Sequence, residues 1–180
     1  MYGMIHRGVR DMVIEHSGPD AWHEIEVSAG FGPEHLITGQ TYDDSIAQTM
    51  LGLAAERMGL SIAECLTAFG RYWVRFAERG AFGNLMKFAG RDFVTFVGNL
   101  DRMHQAVVSA MPDARVPSFR ITDQADGMLR VWYASERTGL EPMVVGLLEG
   151  LLARFELKGE VEEAHGANDA VEFVIRFEPR

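Results

Sequence analysis

"GRDFVTFVGNLDRMHQAVVSAMPDARVPSFRITD", residues 90–123, holds the change of rhythm on which the fold turns. Phe93, Phe96, Val97, Leu100, His104, Val107, Val108 and Met111 recur three and four apart, the spacing of one helix face. After Pro112 the period drops to two. "SFRITD" (118–123), "MLRVWYAS" (128–135), "LKGEVEEA" (157–164) and "AVEFVIRF" (170–177) alternate as strands do. The last of these puts Val171, Phe173, Ile175 and Phe177 on one face. Between the second and third lies "EPMVVGLLEGLLARFE" (141–156), a helix pattern with Pro142 in its first turn. This half of the chain reads as a long helix, an antiparallel sheet and one inserted helix.

Toward the N-terminus every pattern is helical. Ile5, Val9, Met12 and Val13 make a stripe in residues 3–16. "GPDAWHEIEVSAG" (18–30) has proline near its start and glycine after its end. Ile46, Met50, Leu53, Ala54 and Met58 carry the next stripe. "SIAE" (61–64) is a capping box, in which Ser61 and Glu64 satisfy each other's exposed backbone donors. The helix it opens runs through Leu66, Phe69, Trp73 and Phe76 and stops at Gly80. The whole is of α+β type, with helices first and a sheet after.

The bulk properties narrow the function classes. The chain has 180 residues, 47% of them hydrophobic, which suffices for one sizeable core or two close subdomains. A net charge of −9 argues against a nucleic-acid or anionic-membrane surface. The single cysteine, Cys65, excludes an internal disulfide and any multi-cysteine metal site. No segment reaches membrane-spanning length, and the start is not a signal-peptide pattern, so the expected location is cytoplasmic. The usual nucleotide, zinc-protease and hydrolase signatures are absent.

Two constellations remain. His104 interrupts an apolar stripe, and a buried imidazole needs a partner, since an unsatisfied polar group costs about 1–3 kcal/mol. It reads either as a core histidine bonded to a carbonyl or as an iron ligand of haem; no cluster of further ligands suits zinc. His6, His16, His23, His35 and His165 read as surface or helix-end residues. In "VWYASERTG" (131–139), Tyr133, Ser135 and Arg137 share a face if the strand continues. They read either as the wet side of a sheet or as two hydroxyls and a guanidinium set for carboxylates, such as haem propionates.

"NLDRMHQAVVSAMPDARVPSFRIT" (99–122) followed by "YASERTGLEPMVVGLLEGL" (133–151) resembles the H-NOX (haem-nitric oxide/oxygen binding) domains, relatives of the haem domain of soluble guanylate cyclase. "MYGMIH" (1–6) and "FGRYWVRFAERG" (69–80) add to the likeness, which covers the chain. The resemblance implies a single haem domain over residues 1–180. A helical distal subdomain would span about 1–85, and a proximal part with the histidine-bearing helix and sheet about 86–180. It implies a non-covalent b-type haem between them, with His104 on the iron and Tyr133, Ser135 and Arg137 on the propionates. Pro117 and Ile5 would distort the haem, and Met103 and Leu147 would touch it. Gly146 and Gly150 would let their helix approach its neighbour or the haem closely.

Oxygen-binding members carry a distal tyrosine on the helix after Y-x-S-x-R. Here that place falls on Met143, or on Pro142 if the alignment slips by one. Neither is a useful donor, so the resemblance implies that O2 is excluded and nitric oxide, with CO, is bound. Trp73 has an indole N–H on the helical side, with Tyr72 adjacent; both read equally as core or helix surface. The implied function is a bacterial gas sensor, not an enzyme. Weakening of the Fe–His104 bond and relaxation of the haem would signal to a separate histidine kinase or cyclic-di-GMP enzyme. The other readings are an O2-binding sensor, a haem carrier or store, an iron-free interaction domain, and an enzyme using His104 as a base.

Overall fold

The computed structural model describes residues 1–165 and 171–179, with the side chain of His165 outside the described set, so the surface reading of that residue is not addressed. Four helices open the chain: α1 (Gly3–Ser17), α2 (Pro19–Ala29), α3 (Asp44–Met58) and α4 (Ile62–Arg79), with a short 3-10 turn at Pro33–Leu36. The Ser61–Glu64 capping box forms as its sequence predicts. Then come α5 (Gly83–Ala89), α6 (Phe93–Gly98) and α7 (Leu100–Ala110), the hairpin β1 (Ser118–Ala125) and β2 (Met128–Ala134), α8 (Glu141–Arg154), and β3 (Leu157–His165) paired with β4 (Val171–Pro179). The sheet is antiparallel in the order β1-β2-β4-β3. Asp126 and Gly127 close the first hairpin, and Gly127 takes the positive φ of 67° that such a two-residue turn requires.

Three features depart from the sequence reading. The long pattern over residues 90–112 is two helices, because the chain turns at Asn99, whose side-chain amide is bonded to the Ala89 carbonyl at 2.8 Å. The short helix α5 was masked by the glycines around it. His6 is not a surface residue: it is fully buried, with Nδ1 2.7 Å from the His35 carbonyl and Nε2 without a partner.

Two apolar cores result. One gathers Val9, Val13, Trp22, Ile25, Met50 and Phe69 from the first four helices. The other gathers Val74, Phe93, Phe96, Leu129, Leu148 and Phe173 from the later helices and the sheet. Helix α4 feeds both, and Trp73 packs against each. Its passage along α8 is closed by glycines: a Cβ on Gly70 would stand 2.1 Å from the Met143 carbonyl oxygen, and one on Gly146 2.0 Å from that of Thr67. Gly146 and Gly150 therefore bring α8 against α4.

Candidate functional site

His104 lies one turn into α7, where the protein covers the apolar face only in part. Leu100 is buried, while Met103, His104, Val107 and Val108 are half-buried. The His104 Nδ1 lies 2.9 Å from the Pro117 carbonyl oxygen. A carbonyl only accepts, so Nδ1 carries the proton and donates it, which leaves the lone pair on Nε2. Burial pushes the His104 pKa down, opposed by the Pro117 hydrogen bond and by the charge of Asp101, so the ring is neutral at neutral pH. A neutral imidazole whose distal nitrogen is anchored to a backbone carbonyl is the arrangement that metal-binding histidines adopt.

A second tie fixes the same helix. Asp101 accepts from the Ser118 hydroxyl and the Phe119 backbone N–H, both at 2.7 Å. Together with the His104–Pro117 bond, it locks the start of α7 to the start of β1. From there an aromatic ladder runs inward: the His104 ring lies 5.9 Å from Phe119, Phe119 5.4 Å from Tyr133, and Tyr133 5.9 Å from Phe173. Phe119 and Tyr133 meet because they are direct cross-strand partners.

The strand does not continue through Arg137 as alternation would require. It ends at Ala134, and Ser135 and Arg137 follow in a bend. Their grouping comes from a local turn instead: the Arg137 backbone N–H donates to Ser135 Oγ at 3.0 Å. The Ser135 hydroxyl lies beside that of the buried Tyr133, whose pKa is raised chiefly by burial. Arg137 sends Nε and Nη2 to the two carboxylate oxygens of Asp44, at 2.6 and 3.2 Å, and Nη1 to the Arg115 carbonyl oxygen at 2.8 Å. The Arg137 guanidinium holds the Asp44 carboxyl at about 2. The fork is thus set for two-point recognition of a carboxylate.

The remaining candidates divide between the two cores. Ile5 and Met143 pack with the first core, Met103 and Leu147 with the second, and Trp73 with both. Trp73 stacks on Phe76 at 5.4 Å, and Gly8 leaves room for its ring. Tyr72 is turned toward α1, near Asp11 and Glu15 and under the Arg75 guanidinium. Asp44 and Asp101 were not singled out from sequence. Asp101 stands three residues before His104, on the same helix face, which is the one signal that could have found it. Asp44 stands at the start of α3, and nothing local ties it to Arg137, 93 positions away.

This donor set fits a haem. It offers a neutral imidazole with a bare nitrogen, a partly covered apolar seat beside it, and a guanidinium fork already gripping a carboxylate. The family model described as Haem-NO-binding matches residues 2–163. The chain belongs to that family of haem-based gas-sensing domains. It is 30% identical over 155 residues to a soluble guanylate cyclase of Caenorhabditis elegans, covering 86% of this chain and 16% of that protein. A second soluble guanylate cyclase of that animal is 31% identical over 158 residues, covering 86% of this chain and 23% of its own. The chain thus spans a quarter or less of these relatives, and their cyclase activity is a property of the longer proteins. Among solved structures, an H-NOX protein from S. oneidensis in the Fe(II)NO ligation state superposes with a TM-score of 0.85 at 21% identity, covering 99% of both chains. An oxygen-binding H-NOX domain in its oxygen complex gives 0.81 at 24% identity, covering 99% of this chain and 95% of that one. At these identities the likeness establishes the fold. No described helix is long and apolar enough to cross a membrane.

Proposed function

We propose that this chain is a nitric oxide sensor, cytoplasmic and bacterial, which holds a non-covalent b-type haem and signals to a separate protein. The observation that carries the reading is the His104–Pro117 hydrogen bond, which fixes the imidazole with Nε2 free. His104 is the iron ligand. Tyr133, Ser135 and Arg137 would hold the propionates; Arg137 has the two-point geometry for a carboxylate, and a propionate would take the place of Asp44 on that fork. Pro117 and Ile5 press on the cofactor, and Met103, Met143, Leu147 and Trp73 complete its apolar surroundings. When bound, the group supplies a ferrous iron able to take nitric oxide or CO.

The preference for nitric oxide over O2 follows from the start of α8. Bound O2 calls for a hydrogen-bond donor. Pro142 has no N–H, its carbonyl oxygen already accepts from the Thr67 hydroxyl at 3.1 Å, and Met143 offers only a thioether. The signal leaves through protein. Because Asp101 and His104 tie α7 to β1, any change in the hold on His104 moves helix and strand together. We assign about residues 1–85 to a distal subdomain and about 86–180 to a proximal one; the two separate cores support this division. The partner class is a histidine kinase or a cyclic-di-GMP enzyme.

Replacing the ligand tests the reading. The His104→Gly variant is expected to lose haem during purification and to regain its Soret band when imidazole is added, with little change in urea midpoint. Full haem loading without imidazole would show that His104 is a core residue and not a ligand.

A further inference from the structure

Phe88, on α5, is 88% exposed, more than Val27, Ile37 and Ile62, the other exposed large apolar residues. It stands among cations. Lys87 adjoins it, Arg91 follows three residues on, past the end of α5 at Ala89, and Arg102 lies one turn beyond Asn99 on α7, all of them exposed. The junction is tight: the Asn99 amide donates to the Ala89 carbonyl at 2.8 Å, and a Cβ on Gly90 would stand 2.5 Å from the Phe96 nitrogen. Arg79 ends α4 beside the start of α5, where a Cβ on Gly83 would stand 2.3 Å from the Glu78 carbonyl oxygen.

The carboxylates of these elements are turned to other work. Glu78 pairs with Arg154 at 2.9 Å, Asp92 caps α6 through Thr95, and Asp101 is held by Ser118 and Phe119. Arg79, Lys87, Arg91 and Arg102 make no ion pair among the described residues, whereas most arginines elsewhere do. A chain of net charge −9 therefore keeps Lys87, Arg91 and Arg102 free of ion pairs on the elements beside one solvent-facing aromatic, with Asp92 the exposed carboxylate among them.

We propose that the α5–α7 face, which carries Phe88 with Lys87, Arg91 and Arg102 on the same and adjoining elements, is a docking surface for an acidic protein partner. An aromatic anchor with arginines around it is the composition of an interface hot spot. The partner presents an apolar pocket bordered by carboxylates, and the charges speed encounter and set orientation. A second copy of this chain does not suit, because a two-fold contact here would set cation against cation. An anionic bilayer suits less well, with one aromatic to insert and a net charge of −9 behind it. Arg102 is two residues from His104, so an occupant of this face lies against the helix that carries the candidate ligand. That coupling, unlike the surface itself, rests on the haem reading.

The test is photo-crosslinking with the whole protein carrying benzoylphenylalanine at position 88, and at Ile62 as a control, irradiated in an extract of the source organism. The expected result is an adduct specific to position 88. It should vanish in the Arg91→Glu/Arg102→Glu background, and its crosslinked segment should carry Asp or Glu around an apolar residue. The captured protein, purified, should bind the unmodified chain and lose at least about tenfold in affinity to Phe88→Ala. Urea midpoints and the Soret band should match the parent in each variant. No adduct above the control, one that survives charge reversal, or Phe88-dependent sedimentation with phosphatidylserine vesicles would overturn the proposal. An adduct that is equal with and without nitric oxide would leave the surface standing and count against the sensor reading instead.

Discussion

His6 and His104 share a predicament: each imidazole is drawn out of water and given a single carbonyl partner through Nδ1. Burial lowers both pKa values from 6.5. For His6, which the proposed function leaves unligated, the unfolded chain therefore binds more protons than the folded one below that value, so its contribution to stability is complete above pH 6.5 and declines as the pH falls through its folded pKa. For His6 the slope can reach about 1.4 kcal/mol per pH unit. Urea unfolding of the parent at pH 7.5 and pH 5.5 should show the loss, and His6→Leu should flatten it. An equal slope in the variant would assign the effect elsewhere. Asp44 acts in a lower window. Its Arg137-bonded carboxylate contributes above pH 3.8, and that share goes as the pH drops toward about 2.

Among the elements, the α4–α8 crossing is the least forgiving. Gly146 is buried, and an added methyl would stand 2.0 Å from backbone, which cannot swing aside as a side chain could. Gly146→Ala should cost about 1–3 kcal/mol in thermal or urea unfolding, whereas Gly52→Ala, on α3 with nothing within 4 Å of an added Cβ, should be neutral or stabilising. A neutral Gly146→Ala would mean that the helices are not pressed together there. The same scale shows what a sequence makes legible. Capping at Ser61, the Pro19 helix start and the strand alternation of β4 are written in local residue types, and each was readable. The break at Asn99 was not, because the apolar repeat runs through it and a tertiary bond from Asn99 to Ala89 decides it. His6 was misread because a polar side chain in a stripe signals burial only when its partner, here the His35 carbonyl 29 residues on, is known. Tyr133, Ser135 and Arg137 were grouped by strand alternation, but a side-chain turn beyond the strand end assembles them.

Across the whole molecule, the two cores are held in register by α4, which enters both, and by the Arg137–Asp44 pair, which ties the bend after β2 to α3. The candidate residues stand on separate elements: His104 one turn into α7, the carboxylate-gripping fork after β2, and Trp73 on α4 against both cores. A helix and strand clamped by Asp101 then offer a stiff route from that site to the sheet, with the basic α5–α7 face lying beside it. On the proposed function, this assembly would hold a ferrous haem through His104 and report nitric oxide. The visible absorption spectrum of the purified, reduced protein, taken before air, after air and after nitric oxide, tests it most directly. The expected result is a Soret band that air leaves in place and that nitric oxide shifts. A shift in air would place a donor such as the Trp73 indole at the ligand and reassign the gas. No Soret band after haem is added back would overturn the proposed function.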